Sequence, residues 1–148
     1  MSYHEKKALV SIFTSLLITG SFSVYLYQRY AAEGLDLIQD PQFWGSSYLW
    51  LIGLSILGTI LITIVFTIHY RITARENEPS ITDERDKLIE LTAARNSYYV
   101  FVIGFILSML LLAMNMPLHV MFITLLYSGF TSSIVDDVTQ FYLYRRGF

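Results

Sequence analysis

Residues 48–68 read YLWLIGLSILGTILITIVFTI, a run without Lys, Arg, Asp or Glu. As an α-helix this run is roughly 31 Å long, which matches the hydrocarbon thickness of a bilayer. Its apolar residues occur on all sides of the helix, whereas a helix of a soluble bundle keeps a polar face. The run therefore predicts a membrane-spanning helix and not a core helix of a soluble domain.

Three further stretches of the chain are equally free of charged residues. They are residues 8–28, 97–114 and 118–135, with boundaries good to a few residues. None shows the period-two alternation of apolar and polar residues that marks a strand of a membrane β-barrel. The sequence therefore predicts an all-α fold: an integral membrane bundle of four transmembrane helices that forms a single domain over residues 1–148.

Composition excludes several classes of function. The sequence is 54% hydrophobic and 15% charged, whereas a soluble domain has about a quarter charged residues. The formal net charge of -2 and the absence of a basic patch argue against binding to nucleic acid. Because the sequence contains no cysteine, disulfides, thiolate metal ligands and thiol redox chemistry are excluded. We predict no cofactor.

The basic residues predict the orientation in the membrane. Apart from Arg29, every Lys and Arg lies before the first span, after the fourth, or in the loop of about residues 70–96. By the positive-inside rule, we expect both termini and this loop on the cytoplasmic side of the inner membrane of a prokaryote. Aromatic residues near the start of the second span, namely Phe43, Trp44, Tyr48 and Trp50, are expected to anchor it at the opposite headgroups.

Local signals predict the remaining helix boundaries. Asp40-Pro41 resembles an N-cap followed by a first-turn proline, so the second helix should begin ahead of residue 48. Capping hydroxyls and acids at residues 80–84 precede a stretch without helix breakers, which predicts one helix over about residues 82–114 whose first turns project from the membrane. The short connection at residues 115–118 makes the third and fourth spans an antiparallel hairpin.

Small and hydroxyl-bearing residues recur at four-residue spacing. In the first span they are Ser11, Ser15, Thr19 and Ser23, which share one helix face. In the third and fourth spans they are Gly104, Ser108, Ser128, Gly129, Ser132 and Ser133. Helices in lipid associate through such residues, so helix packing is the first interpretation. The alternative is that the hydroxyl row of the first span lines a polar path for a small solute.

Asp136 and Asp137 directly follow the fourth span. Two carboxylates near a helix C-terminus oppose the helix macrodipole and favour basic partners. We expect Arg85 or Arg95 to neutralise them in an ion-pair layer, which His69 at the end of the second span could join. The alternative is an interfacial metal site made of Asp136, Asp137 and His69.

A short motif ahead of the third span resembles a known family. The residues that carry the resemblance are Asp83-Glu84-Arg85, Ile89, Ala93, Ala94 and the stretch YLYRRG at residues 142–147. They are similar to a domain-of-unknown-function family of small bacterial and archaeal membrane proteins, over about residues 81–148. The resemblance implies four helices with the acidic-basic motif ahead of the third, and a regulatory setting. It implies no activity, cofactor or catalytic residue.

The remaining signals favour a protein without catalytic chemistry. No span carries a charged residue in its middle, where coupled transporters usually keep one. We therefore predict a non-enzymatic structural or regulatory protein that contacts membrane lipid, self-associates as a homo-oligomer, and uses Asp83, Glu84 and Arg85 to dock a cytosolic protein or neighbouring subunits. The alternatives are a small carrier or channel for a small solute or ion, and an interfacial metal-dependent membrane enzyme.

Overall fold

The computed structural model describes residues 3–74 and 84–146, and the secondary structure in these ranges is helical. The helices are α1 (Tyr3–Glu33), α2 (Leu35–Gln39), α3 (Pro41–Ala74), α4 (Glu84–Ala113) and α5 (Leu118–Arg146). All except the short α2 are long and apolar enough to cross a membrane. This confirms the all-α fold with four membrane-type helices, while the side of the membrane on which each end lies stays a prediction.

Helix starts follow the local signals in the sequence. The backbone N–H of Gln42 donates to Oδ1 of Asp40 over 2.9 Å, so Asp40 caps α3 and Pro41 occupies its first turn. The fourth helix in chain order runs unbroken from Glu84 to Ala113, as expected for a third span with an extension ahead of it. The expected first residues of this helix, including Asp83, lie outside the described residues.

The turn between α4 and α5 is a Schellman motif centred on Asn115. The φ angle of Asn115 is 60°, a left-handed conformation that asparagine adopts more readily than most residues. Its N–H donates to the carbonyl oxygen of Leu112, and the N–H of Met116 donates to that of Leu111, each over 3.1 Å. Pro117 follows and cannot continue the helix. The two spans therefore turn back on each other within a few residues, as predicted.

Small residues let α4 and α5 pack closely along this hairpin. Gly104 lies so near α5 that a Cβ at this position would overlap the side chain of Ser128. Ser108 is fully buried, and the Ser132 hydroxyl donates to the carbonyl oxygen of Ser97 in α4 over 2.9 Å. Close backbone approach and interhelical hydroxyl bonds of this kind associate helices in lipid.

α1 joins the hairpin to α3. Phe22 of α1, Leu51 of α3 and Leu126 of α5 form a buried cluster. The hydroxyls of Ser23 and Tyr127 form a hydrogen bond of 2.8 Å between α1 and α5. In the described chain, α3 makes no extended contact with α4 or α5. The bundle is therefore closed around α1 and α5 but open between α3 and the hairpin.

The aromatic residues at the start of α3 do not form the predicted outward belt. Trp44 is 1% exposed, stacks on Phe122 of α5 with ring centroids 5.5 Å apart, and donates from Nε1 to the carbonyl oxygen of Ile38 over 2.7 Å. The Tyr48 hydroxyl donates to the carbonyl oxygen of Phe122 over 2.6 Å. The prediction is wrong for Trp44 because α2 folds beneath α3 and offers a carbonyl to the indole. Trp50 is 80% exposed, as an anchor would be.

The start of α1, the end of α5 and the start of α4 lie at one end of the molecule, which we call the terminal end. The ring of His4 stacks on that of Tyr144, with centroids 4.7 Å apart. His4 also lies 4.0 Å from Asp86 of α4. Tyr3 contacts Tyr70 near the end of α3, with ring centroids 4.8 Å apart. The four long helices therefore alternate in direction, as consecutive membrane spans must.

Candidate functional site

A large cavity, which we call the apolar cleft, lies between α1, α3 and the α4–α5 hairpin. Its volume is about 610 Å³. The apolar residues that line it are Val10, Ile18, Tyr48, Leu51, Ile52, Ile62, Phe66, Phe101, Phe105, Leu125, Leu126 and Phe130. The cleft exists because α3 stays near α1 and leaves the side of α5 after their contacts around Trp44 and Tyr48. Ligand pockets in proteins typically have volumes of about 300–1,000 Å³ and mainly apolar walls.

Hydroxyl groups line the apolar cleft on two sides. Ser11 and Ser15 of α1 face it, and so do Ser55, Thr59 and Thr63 of α3. The three residues of α3 follow each other at the four-residue spacing that places side chains on one helix face. This second row was not predicted, although its four-residue spacing is the same signal that marks the hydroxyl row of the first span.

The hydroxyl row of α1 divides between two environments. Ser11 and Ser15 line the apolar cleft, and the Ser15 hydroxyl lies 3.4 Å from that of Ser133 in α5. Thr19 donates to the carbonyl oxygen of Ser15 in its own helix, and Ser23 contacts Tyr127 at the packed α1–α5 interface. The row therefore lines a cavity near the terminal end and packs against a helix farther along.

A second cavity, which we call the polar cavity, lies at the terminal end and has a volume of about 550 Å³. The residues that line it are Tyr3, His4, Lys7, Ala8, Ser11, Glu90, Ala94, Asp136, Asp137, Gln140 and Tyr144. Lys7 and Ser11 also line the apolar cleft. The two cavities therefore adjoin at Lys7 and Ser11, in the second and third turns of α1.

Asp136 and Asp137 have neutral hydrogen-bond partners and not the predicted arginines. Nε2 of Gln140 donates to Oδ2 of Asp136 over 2.9 Å, and the Ser15 hydroxyl donates to Oδ2 of Asp137 over 3.3 Å. Among the described residues, neither carboxylate has a basic side chain within ion-pair distance. The expected pairing with Arg95 is wrong because α4 turns Glu90 and Ala94 toward the polar cavity and leaves Arg95 exposed.

The other residues of the expected ion-pair layer are also apart from the aspartates. Arg85 is exposed at the start of α4 and lies near Tyr144. His69 is exposed on α3 and lines neither cavity. Over residues 3–74 and 84–146, no group of three or more His, Asp or Glu side chains has the arrangement of a metal site. The geometry therefore does not support the metal-site interpretation of Asp136, Asp137 and His69.

Tyr144 lines the polar cavity and lies nine residues beyond the predicted end of the fourth span. Burial raises the pKa of Tyr144 to about 12, with a further contribution from the nearby Asp86 and Glu90 carboxylates. The raised pKa keeps the phenol protonated, and its O–H can donate a hydrogen bond to a carboxylate such as that of Asp86. His4 stacks on the same ring, so the start of α1 and the end of α5 are joined here.

No family model, curated protein or solved structure matches this chain.

Proposed function

We propose that this protein is a multi-pass inner-membrane protein of a prokaryote that binds a molecule with an apolar chain in the apolar cleft. Both termini and the 70–96 loop lie in the cytoplasm in this proposal, which puts the polar cavity at the cytoplasmic surface. The observation that carries the proposal is the cleft itself, a space of about 610 Å³ that α3 and α5 do not close by direct packing.

The volume of the apolar cleft supports an occupant. The cleft is open between α3 and the hairpin, and lining side chains such as those of Ile52 and Phe105 are exposed, so that an apolar chain can enter it from the membrane. The walls are apolar and do not hold water well. A hydrocarbon chain, from a membrane lipid or from a specific ligand, fits these walls best.

The hydroxyl groups of the apolar cleft support an amphiphilic molecule over a plain hydrocarbon. Thr14 is buried beside the cleft and donates to the carbonyl oxygen of Val10 over 2.7 Å. A hydroxyl that donates to its own helix still has lone pairs that accept a hydrogen bond. Groups of this kind, carried by both α1 and α3, can orient an ester, alcohol or amide of a ligand without a buried charge.

The cleft favours this binding function over the structural function predicted from the sequence. Self-association and the docking of a cytosolic partner at Glu84 and Arg85 stay proposals. The resemblance to a domain-of-unknown-function family implies no activity, so this resemblance is compatible with a binding protein. A carrier that uses the cleft would be one form of the same proposal.

The test is the binding of a neutral long-chain alcohol that carries a nitroxide spin label. With the protein in phosphatidylcholine nanodiscs, electron paramagnetic resonance should show an immobilised component that saturates and is displaced by unlabelled alcohol. Gly129 lines the cleft and has open space beyond its Cα, so Gly129→Leu should fill the cleft and reduce this component several-fold.

Gly53→Leu is the matched control. Gly53 also has open space beyond its Cα but lies outside both cavities, so this variant should bind the alcohol as the unaltered protein does. An immobilised component that does not saturate would refute ligand binding in the cleft. So would an immobilised component of the same size in Gly129→Leu and Gly53→Leu.

A further inference from the structure

We propose that the polar cavity holds the cationic headgroup of an amphiphile whose chain lies in the apolar cleft. This inference rests on the proposed function and adds the sign of the charge and the place of the headgroup. It starts from the junction of the two cavities at Lys7 and Ser11. A ligand that spans this junction has an apolar part on one side and a polar part on the other.

The walls of the polar cavity carry more negative than positive charge. Glu90 of α4 and Asp136 and Asp137 of α5 contribute three carboxylates, against the ammonium of Lys7. The ring of His4 stacks on Tyr144 and lies 4.0 Å from Asp86, a further carboxylate that is not part of this lining. The excess of carboxylates favours a cation in this cavity.

Asp137 is the carboxylate for which a bound cation matters most. The residue is nine-tenths buried, with 9% exposure, and its hydrogen-bond partners are two hydroxyls of α1, that of Ser15 at 3.3 Å and that of Ser11. A buried carboxylate is strongly destabilising unless a positive charge or several hydrogen bonds compensate it. Because Ser15 also lines the apolar cleft, Asp137 lies beside the place where the headgroup of an inserted chain would arrive.

The residues that line the polar cavity favour an organic cation over a metal ion. Its carboxylates do not form a metal-holding group with other His, Asp or Glu side chains of the described residues. The rings of Tyr3 and Tyr144 line the same cavity, and the faces of aromatic rings attract ammonium groups. Lys7 is exposed, so its flexible side chain can turn toward water when a cation enters.

The test compares three spin-labelled probes with the same alkyl chain and different headgroups: a trimethylammonium, the neutral alcohol and a carboxylate. In phosphatidylcholine nanodiscs, the ammonium probe should bind about tenfold more tightly than the carboxylate probe, a difference of about 1.4 kcal/mol. The alcohol should lie between them because it uses the apolar cleft alone.

Substitutions then locate the source of the preference. Asp137→Asn and Glu90→Gln should each weaken the binding of the ammonium probe several-fold and leave the binding of the alcohol unchanged. Glu90 is exposed, so Glu90→Gln tests the inference even if Asp137→Asn fails to fold. Asp36→Asn is the control, since it removes a negative charge from exposed α2, outside both cavities, and should change nothing.

The outcomes separate this inference from the proposed function. Equal binding of the three probes, or a preference for the carboxylate, would overturn the cationic headgroup and leave the apolar cleft as a binding site. Loss of binding by the alcohol as well as by the ammonium in Glu90→Gln would also overturn it. If no probe shows saturable binding to the unaltered protein, the proposed function itself fails.

Discussion

Gly104 and Ser128 determine how closely α4 and α5 approach each other. A side chain at position 104 would occupy the space of the Ser128 side chain, so the two helix backbones could not keep their present separation. In lipid, where apolar surface gives no net drive for association, the loss of close contact has no compensation from burial.

Gly104→Ala should therefore destabilise the protein by about 1–3 kcal/mol, the usual effect of overpacking a tight contact. The melting temperature of the protein in a mild detergent measures this effect. Gly129→Ala is the control on the same hairpin, because a Cβ at position 129 meets nothing within 4 Å. Similar melting temperatures for the two variants would contradict the close packing at Gly104.

Substitution of Arg95 tests whether this residue pairs with Asp136 or Asp137. Because Arg95 is exposed and makes no ion pair with either aspartate, Arg95→Ala should change the free energy of unfolding by no more than about 0.5 kcal/mol. Arg85→Ala, at another exposed position of α4, should behave alike. A markedly larger effect of Arg95→Ala would indicate that Arg95 forms the ion pair that the sequence suggested.

The partners of the aspartates could not be predicted from the sequence, because the rotation of α5 about its axis determines which residues the aspartates contact. The positions of Asp136 and Asp137 past the end of an apolar run were visible in the sequence. Whether Asp137 faces an arginine of α4 or a serine of α1 depends on how α5 is turned about its axis, and neighbouring residues differ by about 100° in direction. No local pattern fixes that angle.

At the scale of the elements, the α4–α5 hairpin depends on one residue with positive φ. Asn115 adopts a φ of 60°, which disfavours most side chains by roughly 1–2 kcal/mol relative to glycine. Its position between two apolar helices and ahead of Pro117 made the turn predictable, although not its Schellman hydrogen bonds.

Asn115→Val should lower the melting temperature in detergent, because a β-branched residue is strained in the left-handed region. Asn115→Gly should keep or raise it, because glycine adopts this conformation without strain. The opposite order of the two variants would show that the turn has a different backbone conformation.

The docking of α3 on α5 depends on Tyr48 and Trp44. The Tyr48 hydroxyl donates to the carbonyl oxygen of Phe122 over 2.6 Å, an interaction worth about 1 kcal/mol. Tyr48→Phe should lower stability by that amount in a denaturation titration in detergent. Tyr127→Phe, which removes the exposed hydrogen bond to Ser23, should have a smaller effect. A larger effect of Tyr127→Phe would contradict the role given to Tyr48.

For the whole molecule, the number of long helices and the antiparallel pairing of the last two were predictable, whereas the position of α3 was not. Runs without charge predicted the four long helices because backbone groups in lipid must be paired within a helix. The apolar cleft was not predictable, because it results from the divergence of α3 from α5 beyond Leu51. That divergence depends on contacts at both ends of α3, from Trp44 to the ring of Tyr70.

Labelling of single introduced cysteines tests whether the long helices of this chain cross a membrane. The sequence contains no cysteine, so Asp36→Cys and Arg146→Cys each introduce one reactive thiol at an exposed position. In intact bacterial cells, a membrane-impermeant maleimide should label Asp36→Cys, and it should label Arg146→Cys only after the membrane is permeabilised. Equal labelling of the two variants in intact cells would contradict the account.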